Sequence, residues 1–121
     1  MFHDDFVPPK KIKISFVDFE IHHIGKEESE ERQVNGEIDL DGHKIDLYNG
    51  LNPVETASVI LHEIQHGIHH HFGFNWDASQ LNPEEEMATV KGGLGWTQVL
   101  LENPDLLRYL LKIAEHKQSN K

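Results

Sequence analysis

The chain contains no cysteine, which excludes disulfides and any thiolate-ligated metal centre. No apolar run approaches the roughly 20 residues a membrane-spanning helix requires. Basic residues are scarce, 11 Lys and Arg against 21 Asp and Glu, and the formal charge of −10 repels a phosphate backbone, so nucleic acid is not an expected partner. The densest basic stretch, Lys10-Lys11-Ile12-Lys13, does not offset that field. The start, Met1-Phe2-His3-Asp4-Asp5, lacks both the basic residues and the apolar stretch of a secretory signal, which leads to the expectation of a cytoplasmic protein with no membrane partner. At 121 residues the chain is expected to be one domain, residues 1–121.

What the chain has in excess is histidine: ten in all, five of them between positions 62 and 71. Around that concentration the sequence divides into a strand-rich first half and a helical second half. Lys11 to Phe16 alternates polar and apolar, and the phase then flips to Val17, Phe19 and Ile21, so residues 11–24 read as one strand with a bulge or two buried faces. Residues 25–33 (GKEESEERQ) hold no apolar side chain and read as a solvated loop or short polar turn. Two further strands, 36–41 and 43–48, flank Asp41-Gly42, a two-residue hairpin signal that sets Ile38 opposite Ile45 and Asp39 opposite Lys44. In the helical half, Asn52-Pro53, Asn82-Pro83 and Asn103-Pro104 each place a capping side chain before a first-turn proline. Helices are expected over about 53–71, 83–102 and 105–117. The first should bury Val54, Ala57, Leu61, Ile64, Ile68 and Phe72, and the third Leu106, Leu107, Leu110, Leu111 and Ile113. The expected fold is therefore α+β, a small antiparallel sheet of about three strands followed by three helices.

The chemistry is concentrated in His62-Glu63-Ile64-Gln65-His66, an H-E-x-x-H pattern in the first long helix. Residues four apart share a helix face, so both imidazoles can reach one ion. Zinc accepts two such nitrogens and leaves room for a third protein ligand and a water. Glu63 follows the first ligand directly and is placed to act as general base. A third histidine in metzincin spacing is excluded, because His69 and Phe72 stand where that pattern needs Gly and His. The remaining solution is a carboxylate from the next helix, where Glu84-Glu85-Glu86 offers three. Glu85 shares a small-residue face with Ala88, Thr89, Gly92 and Gly95, which would let that helix approach the first one closely. Glu86, with Val90 and Gly93 on its face, is the alternative third ligand, and a capping role for Glu85 with Asn82 also fits. His69, His70 and His71 read as solvated residues at the negative end of the helix dipole, and His22 and His23 as polar strand-end residues. Tyr48, His69 and Tyr109 are weak candidates for an oxyanion partner.

These residues resemble the minimal gluzincin peptidases of the ImmA/IrrE type, small enzymes found in phages and mobile elements. The resemblance runs from about residue 43 to 102. It rests on His43-Lys44-Ile45-Asp46-Leu47, Asn49 to Glu55, Val59 to Gly67, and Glu85-x-x-Ala88. It implies a zincin-like fold with His62, His66 and Glu85 as zinc ligands and Glu63 as base, acting on a protein or peptide partner. A substrate would pair with the strand His43–Tyr48, expected at the sheet edge. The alternative is a non-catalytic zinc-fold binding or regulatory protein of phage type.

Overall fold

A computed structural model describes residues 6–73 and 91–118 in full, and residues 83–90 and 119 by their helical backbone alone. The order of elements is β1 (Lys11–Ile14), β2 (Val17–Ile24), α1 (Lys26–Arg32), β3 (Gly36–Asp39), β4 (Lys44–Tyr48), α2 (Pro53–His71), α3 (Pro83–Glu102) and α4 (Pro104–Ser119). The α+β class holds, with four strands in one mixed sheet ordered β1-β2-β4-β3: β1–β2 and β3–β4 are antiparallel, β2–β4 parallel.

The phase flip after Phe16 proves to be a hairpin. Ile14 faces Val17 across a two-residue turn, Ser15 takes a positive φ of 58°, and Phe16 stands 95% exposed. Facing residues of an antiparallel pair share a side of the sheet, so Ile12, Ile14, Val17, Phe19 and Ile21 form one apolar face. Residues 25–33 also differ from expectation, because Lys26–Arg32 is helical despite having no apolar residue. Its charges supply the reason. Lys26 pairs with Glu30 and Glu28 with Arg32 one turn apart, and Arg32 reaches over to Glu37 on β3 at 2.7 Å and Asp46 on β4 at 3.1 Å. The short helix is thereby pinned to the sheet by a guanidinium. Together with β3 it forms the connection that lets β4 lie parallel to β2.

The register of the second hairpin is as expected, Ile38 opposite Ile45 and Asp39 opposite Lys44. The turn is longer than two residues, running from Leu40 to His43, and the left-handed position belongs to His43 (φ 55°) rather than Gly42. The Asp39 carboxylate organises it by accepting from the Asp41 and Gly42 amides at 3.2 and 2.8 Å.

α2 starts where expected, the Asn52 side chain accepting from the Glu55 amide at 2.8 Å with Pro53 in the first turn. Of its expected stripe, Ala57, Ile64 and Ile68 enter the core, joined by Ile60, while Val54 is 48% exposed and Leu61 and Phe72 are only partly covered. They pack on Ile12, Ile14, Phe19, Ile45 and Leu47 from the sheet and Val99 from α3. Gly67 allows this contact, since a Cβ there would stand 2.7 Å from Ile14 Cδ1. On α4, Leu106, Tyr109 and Ile113 are buried, whereas Leu107 and Leu111 face solvent. No described helix is long and apolar enough to cross a membrane.

Candidate metal centre

α2 presents His62 and His66 to solvent between two neighbours. On one side Glu63 turns toward β3, where its carboxylate accepts the Ile38 amide N–H. On the other, Gln65 turns toward α3, and its Oε1 accepts the Trp96 indole N–H at 2.7 Å. Gly95, next to that tryptophan, lets the two helices close: a Cβ there would lie 2.5 Å from Ile68 Cγ2. The small-residue face expected of α3 is thus used for approach to α2 at Gly95, and Gly92 is buried as well.

The two imidazoles converge. Their Nε2 atoms are 3.1 Å apart and the rings nearly perpendicular, at 87°. Two nitrogens held by one ion at about 2.0–2.1 Å and a tetrahedral angle stand about 3.3–3.4 Å apart. The pair observed here departs from that by a few tenths of an ångström, so the donor set and its spacing fit a zinc ion. Neutral imidazoles can also satisfy each other at this distance, one donating and one accepting.

Glu63 is 6% exposed. Burial pushes its carboxyl above the ordinary carboxylate range, opposed by the neighbouring charges of His62 and His66 and by the Ile38 amide. A carboxylate raised in this way holds a proton more readily than a solvated one, the property a general base needs if it is later to act as an acid.

No third His, Asp or Glu joins the pair among the described residues. Glu85 and Glu86 lie on the first turns of α3, and their side chains lie outside the described residues. The described half of α3 runs antiparallel to α2, with Trp96 beside Gln65 and Lys91 beside Gly73.

Other expectations are relocated. The strand His43–Tyr48 is not at the edge, since β4 lies between β2 and β3; the edge beside the histidines is β3. Its parity follows from Tyr48, whose amide donates to Asn35 O at 2.8 Å. Pairs Asn35–Tyr48, Glu37–Asp46 and Asp39–Lys44 therefore bond inward, and Gly36 and Ile38 turn their peptide groups to the outside. The outward amide of Ile38 is the one Glu63 captures. Sequence reasoning missed this because one residue type looks the same on an edge and an inner strand; the parallel β2–β4 pairing decides it.

At the end of α2, His70 is exposed as expected, but His71 is half-buried, its ring 5.8 Å from that of Phe19. Burial, then the nearby His70 and His43, pushes its pKa down. His22 is exposed and bonds Glu20 at 3.0 Å. Tyr109 lies on α4 against β1 and β2, away from the histidine pair.

No family model matches the chain, and no curated protein or solved structure is significantly similar to it.

Proposed function

We propose that the protein is a cytoplasmic zinc-dependent peptidase of the ImmA/IrrE gluzincin type, with His62 and His66 as ligands, Glu63 as base, and Glu85, or alternatively Glu86, as third ligand. The observation that carries the reading is the convergence of the His62 and His66 nitrogens at 3.1 Å beside a buried carboxylate. Zinc would supply Lewis acidity, lowering the pKa of water toward neutrality and polarising a peptide carbonyl. The chain's own residues do the rest. His62 and His66 would hold the ion at the solvent-facing side of α2. Glu63 removes a proton from the attacking water and returns it to the leaving amine. Its hydrogen bond to the Ile38 amide fixes the carboxylate at the outer edge of β3. The outward peptide groups of that edge are suited to pair with an extended substrate segment, which would bring its carbonyl past Glu63. The substrate class supported is thus a protein or peptide in extended conformation.

The test begins with metal content. Protein purified without a histidine tag and loaded with zinc should hold one ion per chain, and His62→Ala should hold none. Replacing the correct third ligand, Glu85→Gln or Glu86→Gln, should weaken zinc by at least about tenfold to a hundredfold while the other variant binds normally. Glu63→Gln should keep the ion and lose peptidase activity by about 10²–10⁴-fold. Zinc binding untouched by His62→Ala would falsify the centre.

A second reading, a non-catalytic zinc-fold binding or regulatory protein, is favoured by one observation: the Glu63 carboxylate is engaged by the Ile38 amide, which gives it a structural role at the β3 edge. Retained zinc with no hydrolysis of extended peptides would decide for it.

A further inference from the structure

A groove of about 1130 Å³ runs along the opposite side of the molecule, between the segment leading into β1, the face of β2 and helix α4. That volume is on the scale of small-molecule sites. Its apolar surface comes from Pro8, Pro9, Ile21 and Leu111. Four of the chain's eleven Lys and Arg residues line it: Lys10 and Lys11 on the strand side, Arg108 and Lys112 on the helix side. Arg108 is engaged by Asp105, and Glu20 stands opposite Lys11 across the β1–β2 pair. Lys10 and Lys112 are left facing Glu115, an excess of one positive charge in a protein whose formal charge is −10.

The second observation is Tyr109, which lines the same groove. It is 5% exposed, and its hydroxyl has no hydrogen-bond partner among the described residues. Burial pushes the phenol up to about 12, so it stays protonated and can only gain by donating. A buried hydroxyl without a partner destabilises the empty fold, whereas phenylalanine would fill the same space without that cost. An acceptor arriving with a ligand would satisfy it. An apolar floor, ammonium groups on both rims and one buried O–H donor match a carboxylate carried on an apolar body. Phosphate is matched less well, since the one guanidinium is already paired.

We propose that the groove between β1 and α4 binds a carboxylate with an apolar body, seated among Lys10, Lys112 and the Tyr109 hydroxyl. This site is independent of the histidine pair. Calorimetric titration with decanoate tests it on the full chain. One saturable site is expected, with decanol binding at least about tenfold more weakly. Tyr109→Phe should bind decanoate about tenfold more weakly while its melting temperature is unchanged or raised, and exposed Lys112→Glu should weaken binding to a similar degree. His62→Ala should bind as the wild type does. Short peptides ending in Leu, free or amidated at the C-terminus, separate the two sources of such a group: capture of the free form alone assigns the site to peptide termini, and decanoate alone to small acids. Absence of saturable decanoate and peptide binding, or Lys112→Glu and Tyr109→Phe variants that bind like the wild type, overturns the proposal. So does a Tyr109→Phe variant that melts earlier while Lys112→Glu binds normally, because the tyrosine would then serve the fold.

Discussion

At one edge of the sheet, β1 turns the peptide group of Lys13 outward into the side-chain amide of Asn103; at the other, β3 turns Ile38 outward onto the carboxylate of Glu63. The first edge is closed. Asn103 accepts the Lys13 N–H and donates to the Lys13 C=O, both at 2.8 Å, so one side chain mimics a neighbouring strand. Gln98 continues the seal by accepting the Ser15 amide at 2.7 Å and donating to the Lys13 carbonyl at 3.2 Å. The second edge is met by a single ionisable group, with one imidazole a residue before it and another three residues after it on the same helix. Exposed strand edges invite pairing with other chains, and proteins usually block them. Here the blocked edge is remote from the histidines and the edge left to Glu63 lies beside them. That contrast is the structural argument for reading β3, rather than β1, as a place where an extended chain can dock.

The largest effect should come from breaking the seal. Asn103→Ala removes the acceptor of the Lys13 N–H and one donor each from the Lys13 carbonyl, which Gln98 still reaches, and the Val99 carbonyl, which Asn103 Nδ2 reaches at 2.7 Å. Losing these three bonds should cost about 2–4 kcal/mol in urea unfolding. Light scattering should then report self-association through the newly bare β1 edge, with the zinc stoichiometry unchanged. A variant as stable and as monodisperse as the wild type would mean that Asn103 does not close that edge.

A smaller loss is expected at the open edge. Gly36 lets β3 run close under α2, and a Cβ there would stand 2.3 Å from Val59 Cγ1 and 3.5 Å from Glu63 Cγ. Gly36→Ala should destabilise by about 1–3 kcal/mol as strand and helix move apart. If β3 guides substrate, hydrolysis should fall by more than the lost folded fraction accounts for. Equal losses would reduce Gly36 to a packing residue and remove one support for the docking strand.

How far these edges could be read from the sequence depended on where the signal lay. Asp41-Gly42 and the alternation around it gave the β3–β4 register, and Asn52-Pro53 gave the start of α2, because local chemistry dictates both. The H-E-x-x-H spacing carried the convergence of His62 and His66, since helix periodicity alone brings them together. The β1–β2 turn was invisible: Ser15-Phe16 has neither Gly nor Asn, and its positive φ is imposed by the pairing of flanking apolar strands. α1 was missed for a related reason, its anchor being Arg32 clasped by Glu37 and Asp46 rather than an apolar stripe. Asn103 was read as a helix cap. Its backbone carbonyl does accept from Leu106 at 3.0 Å, but the side chain is drawn 90 residues back along the chain to Lys13, a contact no local pattern encodes. The strand order, and with it the identity of the edge beside the site, likewise rests on long-range pairing.

The smallest effect concerns the carboxylate that meets the open edge, and its sign follows from proton linkage. Burial raises the folded pKa of Glu63 above its ordinary 4.5, with His62, His66 and the Ile38 amide opposing but not cancelling the rise. Between 4.5 and the folded value, the folded protein therefore holds more protons than the unfolded chain, so its stability declines as pH increases through that window. Glutamine has no such proton to lose and can still accept the Ile38 N–H through its amide oxygen. Measured in the presence of a chelator, Glu63→Gln should melt above the wild type at pH 7.5, and the gap should close as the pH falls toward 4.5. A residue kept at a site where its neutral counterpart folds better is retained for chemistry rather than stability. If the glutamine variant instead melts below the wild type at neutral pH, the histidines and the Ile38 amide outweigh burial. Glu63 would then be a structural closure for β3, equivalent to Asn103 on β1, and the contrast between the two edges would disappear.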